Sequence, residues 1–100
     1  MSFERIMGLN VFDDEIYQQY RENMLPILKA YGGEFGFDFT VSKVLKSKTQ
    51  APINRVFTLD FPSREKMDAF FTDSSYLEVR SKYFDNSVNS VTTISIHESL

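Results

Sequence analysis

The clearest pattern in the chain is an alternation. Phe35, Phe37, Phe39 and Val41 alternate with Gly36, Asp38, Thr40 and Ser42, the period of a strand with one buried face. It predicts a strand over residues 34–45. Met7, Leu9 and Val11 alternate with Gly8 and Asn10 in a strand over 5–12. Arg55, Phe57, Leu59 and Phe61 alternate with Val56, Thr58 and Asp60 in a strand over 53–61, and a last strand covers 90–97.

Between the first two strands the period changes. Ile16, Tyr20, Met24, Ile27, Leu28 and Tyr31 are three or four apart and draw one helical stripe over 14–31. Asp13 is placed as its N-cap, and Asp14 and Glu15 face the positive end of its dipole. Pro26 predicts a kink or break, and Gly32-Gly33 a C-cap. Pro62-Ser63 opens a second helix carrying Met67, Phe70 and Phe71. Asp73-Ser74-Ser75 interrupts it. A short helix then starts at Ser75, with Glu78 completing a capping box and Tyr76, Val79, Tyr83 and Phe84 as its stripe. The polar run 46–52 reads as a mobile loop.

The order βαββαβ predicts the split-βαβ, ferredoxin-like arrangement, α+β in class. It is a four-stranded antiparallel sheet with both helices on one face. The 100 residues fit one such domain, 1–100. The helix-facing side is then Leu9, Phe35, Phe37, Phe39, Phe57, Leu59 and Phe61. The other side carries Asn10, Asp38, Thr40, Thr58, Asp60, Thr93, Ser95 and His97, with Ile6, Val56 and Val91 among them. No helix in the chain covers this half-polar side, so it faces water, a partner's sheet or a ligand.

Composition narrows the function. Eleven Lys and Arg against fourteen Asp and Glu give a net charge of −3, without the cationic surplus that binds a phosphate backbone. Zero Cys excludes disulfides, thiol catalysis and thiolate metal sites. No apolar run approaches the ~20 residues of a membrane span, and Met1–Arg5 lacks the pattern of a signal peptide. The expected location is cytoplasmic, with no nucleic-acid or membrane partner. Ten Phe and five Tyr suffice for a core and leave aromatic surface for contact between subunits.

His97, the one histidine, is the natural general base, or simply an exposed residue of a terminal strand. Asp38 and Asp60, on one sheet face, suit acid–base work or a hard cation, or are solvated face residues. Asn10, Thr58 and Thr93 offer neutral hydrogen bonds. Tyr17, Tyr20, Tyr31, Tyr76 and Tyr83 would line any gap between helices and sheet, with Arg55 closing it by a positive charge. A ligand there is aromatic or acidic; otherwise these tyrosines are packing. No metal-ligand spacing, catalytic triad order, phosphate loop or dinucleotide fingerprint is present. Phe35-Gly36-Phe37-Asp38-Phe39 is only superficially an RNA-stacking string: Glu34 precedes it, it lies on the second strand, and its Phe side chains face the helices.

Pro26-Ile27-Leu28 with Tyr31-Gly32-Gly33, Phe61-Pro62-Ser63, Ala69-Phe70-Phe71 and Ser74-Ser75-Tyr76 stand in an order that resembles the family called domain of unknown function 1330, of the dimeric α/β-barrel superfamily. The resemblance spans most of the chain. It is looser at Glu78-Val79-Arg80-Ser81-Lys82-Tyr83-Phe84, where Arg80 stands a helical turn earlier than the Arg of relatives, and Asp73 replaces their usual Ser. It implies a ferredoxin-like subunit and a homodimer whose sheets pack face to face as a barrel. The expected function is binding of a small aromatic or acidic molecule by a homodimer joined through the open sheet face. The candidate ligand-binding residues are Asn10, Tyr31, Arg55, Tyr83 and His97, and Asp38 and Asp60 lie on the polar sheet face. No metal or cofactor is expected. A cofactor-free monooxygenase or isomerase of the dimeric-barrel type is the alternative, and an interaction dimer without a small ligand is a third reading.

Overall fold

The computed structural model describes residues 2–99. Its elements are β1 (Ser2–Val11), α1 (Asp14–Ala30), β2 (Glu34–Thr40), β3 (Arg55–Phe61), α2 (Arg64–Thr72), α3 (Ser74–Val79), a π-helical turn (Arg80–Phe84) and β4 (Val88–Ser99). The strands form one antiparallel sheet in the order β2-β3-β1-β4, the split-βαβ order. Among the described residues, no helix is long and apolar enough to cross a membrane.

All three helices cover one sheet face. The core joins Met7, Leu9 and Val11 of β1 and Phe57, Leu59 and Phe61 of β3 to Tyr17, Tyr20, Met24 and Leu28 of α1, Met67 and Phe70 of α2, and Tyr76 of α3. The helices start where a side chain takes an orphan amide. Asp13 Oδ1 accepts from Ile16 N at 3.0 Å, and Ser63 Oγ accepts from Lys66 N at 3.2 Å. For α3 the cap is Asp73, whose Oδ1 accepts from Tyr76 N at 2.9 Å; the expected cap at Ser75 is not used. A carboxylate is the stronger acceptor, and its extended backbone suits the position. α1 runs unbroken through Pro26 to Ala30. Gly32 N and Gly33 N return to the carbonyls of Lys29 and Leu28, both at 2.9 Å.

The ladders shift register at three places, and two of the shifts, in β2 and near Ile94 of β4, correct the sequence-based assignment of faces. In β2, Phe35 lies opposite Leu59 but Asp38 lies opposite Phe57. One extra residue is therefore inserted, which reverses the parity beyond it. Asp38 and Thr40 turn to the helix side. Phe39 pairs with Val56 on the open side, and Phe37 and Phe39 are 67% and 52% exposed rather than buried. The bulge is locked by Thr58, whose Oγ1 accepts from Phe37 N at 2.8 Å. It needs Gly36, because a Cβ there would stand 2.5 Å from Thr58 Oγ1. In β4, Ser95 lies opposite Ile6 but Thr93 lies opposite Met7. Ile94 is the extra residue, so Val91 and Thr93 face the helices while Ser95 and His97 face outward.

β2 ends at Thr40 rather than near Leu45, because beyond it the chain leaves the sheet. Val41 N donates to Asn54 O, and Asn54 N to Leu9 O, both at 2.8 Å. The Asn54 side chain also donates to Val11 O and accepts from Val11 N, again at 2.8 Å. These bonds bring residues 41–54 onto the open face. Ile53 lies over Gly8, where a Cβ would meet Ile53 Cδ1 at 2.9 Å. Val44, Lys46 to Thr49, Ile53 and Thr92 to Ile94 surround a hollow of about 430 Å³.

Candidate functional site

The helices do not fill the space over β1 and β4. A cavity of about 220 Å³ remains there, walled by Met7, Leu9, Phe57, Leu59, Phe71, Phe84 and Val91. Its polar lining is Arg5, Arg80, Tyr20, Tyr76 and Thr93. Arg5 points to the helix side because it shares parity with Met7 and Leu9 on β1. Its guanidinium carbon lies 4.3 Å from the centre of the Phe71 ring. Its buried Nε has no hydrogen-bond partner, and burial lowers its pKa from the ordinary value. Arg80 lies 5.1 Å from the Phe84 ring centre. The Asp85 carboxylate stands 3.9 Å from its Nε, too far for a hydrogen bond.

Tyr20 and Tyr76 meet hydroxyl to hydroxyl at 2.9 Å. Burial raises the pKa of both phenols, so both are neutral at physiological pH. Either hydroxyl donates to the other, and the accepting one keeps its own proton to donate elsewhere. The cavity therefore presents two cations and three hydroxyls on an aromatic wall, with no carboxylate. Such a lining favours an anion with an apolar body.

The sequence-selected residues fall in several places. Arg55 is not at this cavity. Its Nε and Nη2 bond the two oxygens of Asp38 at 2.9 and 3.1 Å, and Arg21 of α1 reaches the same carboxylate at 2.8 Å. The bond to Asp38 raises the Arg55 pKa. Its guanidinium also covers the Tyr17 ring at 4.9 Å. Asp38 is thus the counter-ion of two arginines beneath α1, not a neighbour of Asp60 on the polar face. Tyr31 donates to Asp73 Oδ2 at 2.6 Å, pinning the end of α1 to the start of α3. Tyr83 is half-buried against the core, outside the cavity wall. Asn10 accepts from Asn89 Nδ2 at 3.1 Å.

His97 lies on the opposite side of the sheet. Its Nε2 is 2.9 Å from Glu4 Oε1 and its Nδ1 is 2.6 Å from Ser95 Oγ. A neutral ring with its proton on Nε2 satisfies both, with the Ser95 hydroxyl donating to Nδ1. Asp60 stands beside Glu4, and burial together with Glu4 and Glu34 raises its pKa. The structure therefore does not gather Asn10, Tyr31, Arg55, Tyr83 and His97 into one site. Of the five tyrosines, Tyr20 and Tyr76 line the cavity. Arg5 belongs to no motif, and its one signal in the sequence is a charged residue in step with Met7 and Leu9.

A family model described as a domain of unknown function (DUF1330) matches residues 5–95. The chain belongs to this family. No functionally curated protein matches the sequence. The DUF1330 chain is similar in fold to a protein of unknown function from Rhodopseudomonas palustris, with a TM-score of 0.80 and 17% identity over 99% of this chain and 82% of that one. It is also similar to a dimeric ferredoxin-like protein of unknown function from Jannaschia sp. (TM-score 0.61, 12% identity, 99% and 100% covered). A dimeric protein of ferredoxin-like fold from Bacteroides fragilis matches with a TM-score of 0.63 and 12% identity, over 98% of this chain and 96% of that one. These likenesses show that the DUF1330 chain has a ferredoxin-like fold.

Proposed function

We propose that this DUF1330 chain works as a homodimer that binds a small anionic molecule with an aromatic or similarly flat apolar body. The ligand occupies the cavity between β1, β4 and the α3–π-turn segment. The observation that carries this reading is Arg5: a buried guanidinium nitrogen without an acceptor, stacked on Phe71 at the wall of an aromatic cavity that holds a second arginine. A buried donor without an acceptor is costly, and a bound carboxylate removes that cost. The wall polar groups stabilise negative charge, and none of them is a base at neutral pH. Binding by itself needs nothing further.

The homodimer is supported by the part of the sheet face that residues 41–54 leave open, where Phe39 and Phe37 are exposed and Ile6 and Val56 are half-exposed. It is also supported by the two neighbours described as dimeric.

The test is ligand-observed NMR on the purified protein with a panel of aromatic carboxylates, each paired with its neutral amide. Carboxylates bind and amides do not. Arg5→Gln weakens binding about tenfold or more, the worth of one charge-assisted hydrogen bond. Equal binding of acids and amides, or an unaffected Arg5→Gln protein, overturns the assignment.

A further inference from the structure

The open face of the sheet has a covered half and a bare half. Over β1 and β4 lie residues 41–54. Ile53 sits above Gly8, and Val44, Ile53, Thr92 and Ile94 give the hollow of about 430 Å³ its apolar lining and floor. Over β2 and β3, Phe37 and Phe39 stand exposed and Val56 half-exposed. The bulge of β2 turned those two rings outward, and Ile94, the extra residue of β4, borders the hollow. The rings and the hollow also share a level. Phe39 pairs with Val56, Val56 with Gly8, and Gly8 with Thr92, in one row across all four strands. Two residues further along β1 from Ile6, away from this row, a second row holds Glu34, Asp60, Glu4 and His97.

We infer that Phe39 of each protomer seats in the hollow of the other, in a homodimer whose two-fold axis runs along the strands between β3 and β1. This rests on the homodimer reading above. Such an axis keeps every residue at its level and reverses the strand order, so β2 lies over the partner's β4 and β3 over the partner's β1. Phe39 then faces the partner's Thr92, and Val56 faces the partner's Gly8. The covered half of each copy fits the bare half of the other, as an isologous contact requires. An axis across the strands lays each strand on its own copy instead. Centred on Ile6, it sets Phe39 on the partner's Glu34 and Val56 on the partner's Asp60, which buries carboxylates against apolar groups. Centred on Gly8, it sets the two 41–54 segments on top of each other. The axis along the strands avoids both. Its unfavourable contact is Asp60 facing the partner's Glu4, while Glu34 faces the partner's His97. The hollow has room for the ring: a cavity of about 150 Å³ accepts benzene, and this one is larger.

The experiment reads the dimer dissociation constant of the full chain by sedimentation, for Phe39→Ala, for Thr92→Phe and for the two combined in one chain. Phe39→Ala removes the ring, and Thr92→Phe fills the hollow. Each alone weakens the dimer about tenfold or more, as for an anchor residue and its pocket. Thr92→Phe does so although it adds apolar surface to the face. In the combined variant each filled hollow meets a missing ring, and affinity returns to within about threefold of wild type, the non-additivity of residues in contact. Misfolded chains cannot regain it. The chain has no Cys, so Glu34→Cys and His97→Cys proteins are mixed and treated with a short bismaleimide to read the axis. The mixture links between protomers, and the Glu34→Cys protein does not link to itself, because the axis keeps its two sites three strands apart. Either single variant dimerising like wild type, a combined variant no tighter than the singles, a mixture that does not link, or a Glu34→Cys protein that links to itself overturns the docking and leaves the homodimer standing. A wild-type monomer at every concentration overturns both.

Discussion

Two places beneath the helices hold arginines among aromatic rings, and they differ in one residue type. Over β2 and β3, Arg55 and Arg21 close on Asp38, and Arg55 lies on the Tyr17 ring. Over β1 and β4, Arg5 and Arg80 face a cavity whose wall has no acid. In the first place both arginines reach a carboxylate of the chain, although Arg21 Nε and the Tyr17 hydroxyl stay without a hydrogen-bond partner. In the second, Asp85 stands 3.9 Å from Arg80 Nε outside the cavity wall, and a cavity of about 220 Å³ remains. An internal carboxylate makes a structural ion cluster, and a wall of cations without one borders a cavity.

Removing the carboxylate should turn the first place into a version of the second. In Asp38→Ala, two mostly buried guanidinium groups lose their counter-ion, and breaking such a pair costs about 3 kcal/mol. Urea unfolding measures the loss, and added formate or acetate restores part of it. A loss below about 0.5 kcal/mol, the ordinary range for a surface substitution, would mean that Asp38 does not hold the two arginines.

The tyrosines sharpen the contrast at a smaller scale. The buried Tyr17 hydroxyl has no hydrogen-bond partner, whereas Tyr20 and Tyr76 bond each other. Tyr76→Phe is expected to cost about 1 kcal/mol, the net worth of one hydrogen bond. Tyr17→Phe is expected to leave stability at or above wild type, because it removes only a desolvated hydroxyl. Thermal melts of the two variants side by side decide this. A larger loss for Tyr17→Phe reverses the assignment.

The smallest effect belongs to the outer bond between the helices. The Tyr31 hydroxyl bond, with the amides of Tyr76 and Ser75, holds the Asp73 carboxyl below its ordinary range. A lowered carboxyl stabilises the fold above its unfolded pKa and loses that contribution as pH falls through its folded pKa. Stability should therefore drop on acidification below the ordinary aspartate range, and less steeply in Asp73→Asn, which keeps an N-cap oxygen. Tyr31→Phe should fall between the two. Three identical melting-temperature profiles against pH would remove Asp73 from the acid response.

Much of the fold was legible because its signals are local. The stripe from Ile16 to Leu28 and the caps at Asp13 and Ser63 depend on neighbours a turn away. The faces of β2 and β4 were not legible beyond a point, because a bulge is decided across the sheet. Thr58 captures the amide of Phe37, and that bond sends Asp38 inward and Phe37 and Phe39 outward. Gly36 within an otherwise regular alternation was the available sign. The site was less legible than the fold. Arg5 and Arg80 are far apart in the chain, and spacing does not reveal that they line one cavity whose wall holds no acid. Ser95 and His97, two apart on one strand, share a face by parity, but Glu4 reaches them only through the register.

Both strands that carry bulges, β2 and β4, are the outer strands of the sheet. An outer strand with a regular row of free backbone groups templates the addition of further strands, the route to fibrils. Here each border is kinked by an inserted residue, and at β2 one amide is already taken by Thr58. Edgewise growth is blunted on both sides, which leaves the broad face of the sheet, with Phe37 and Phe39, as the exposed aromatic surface.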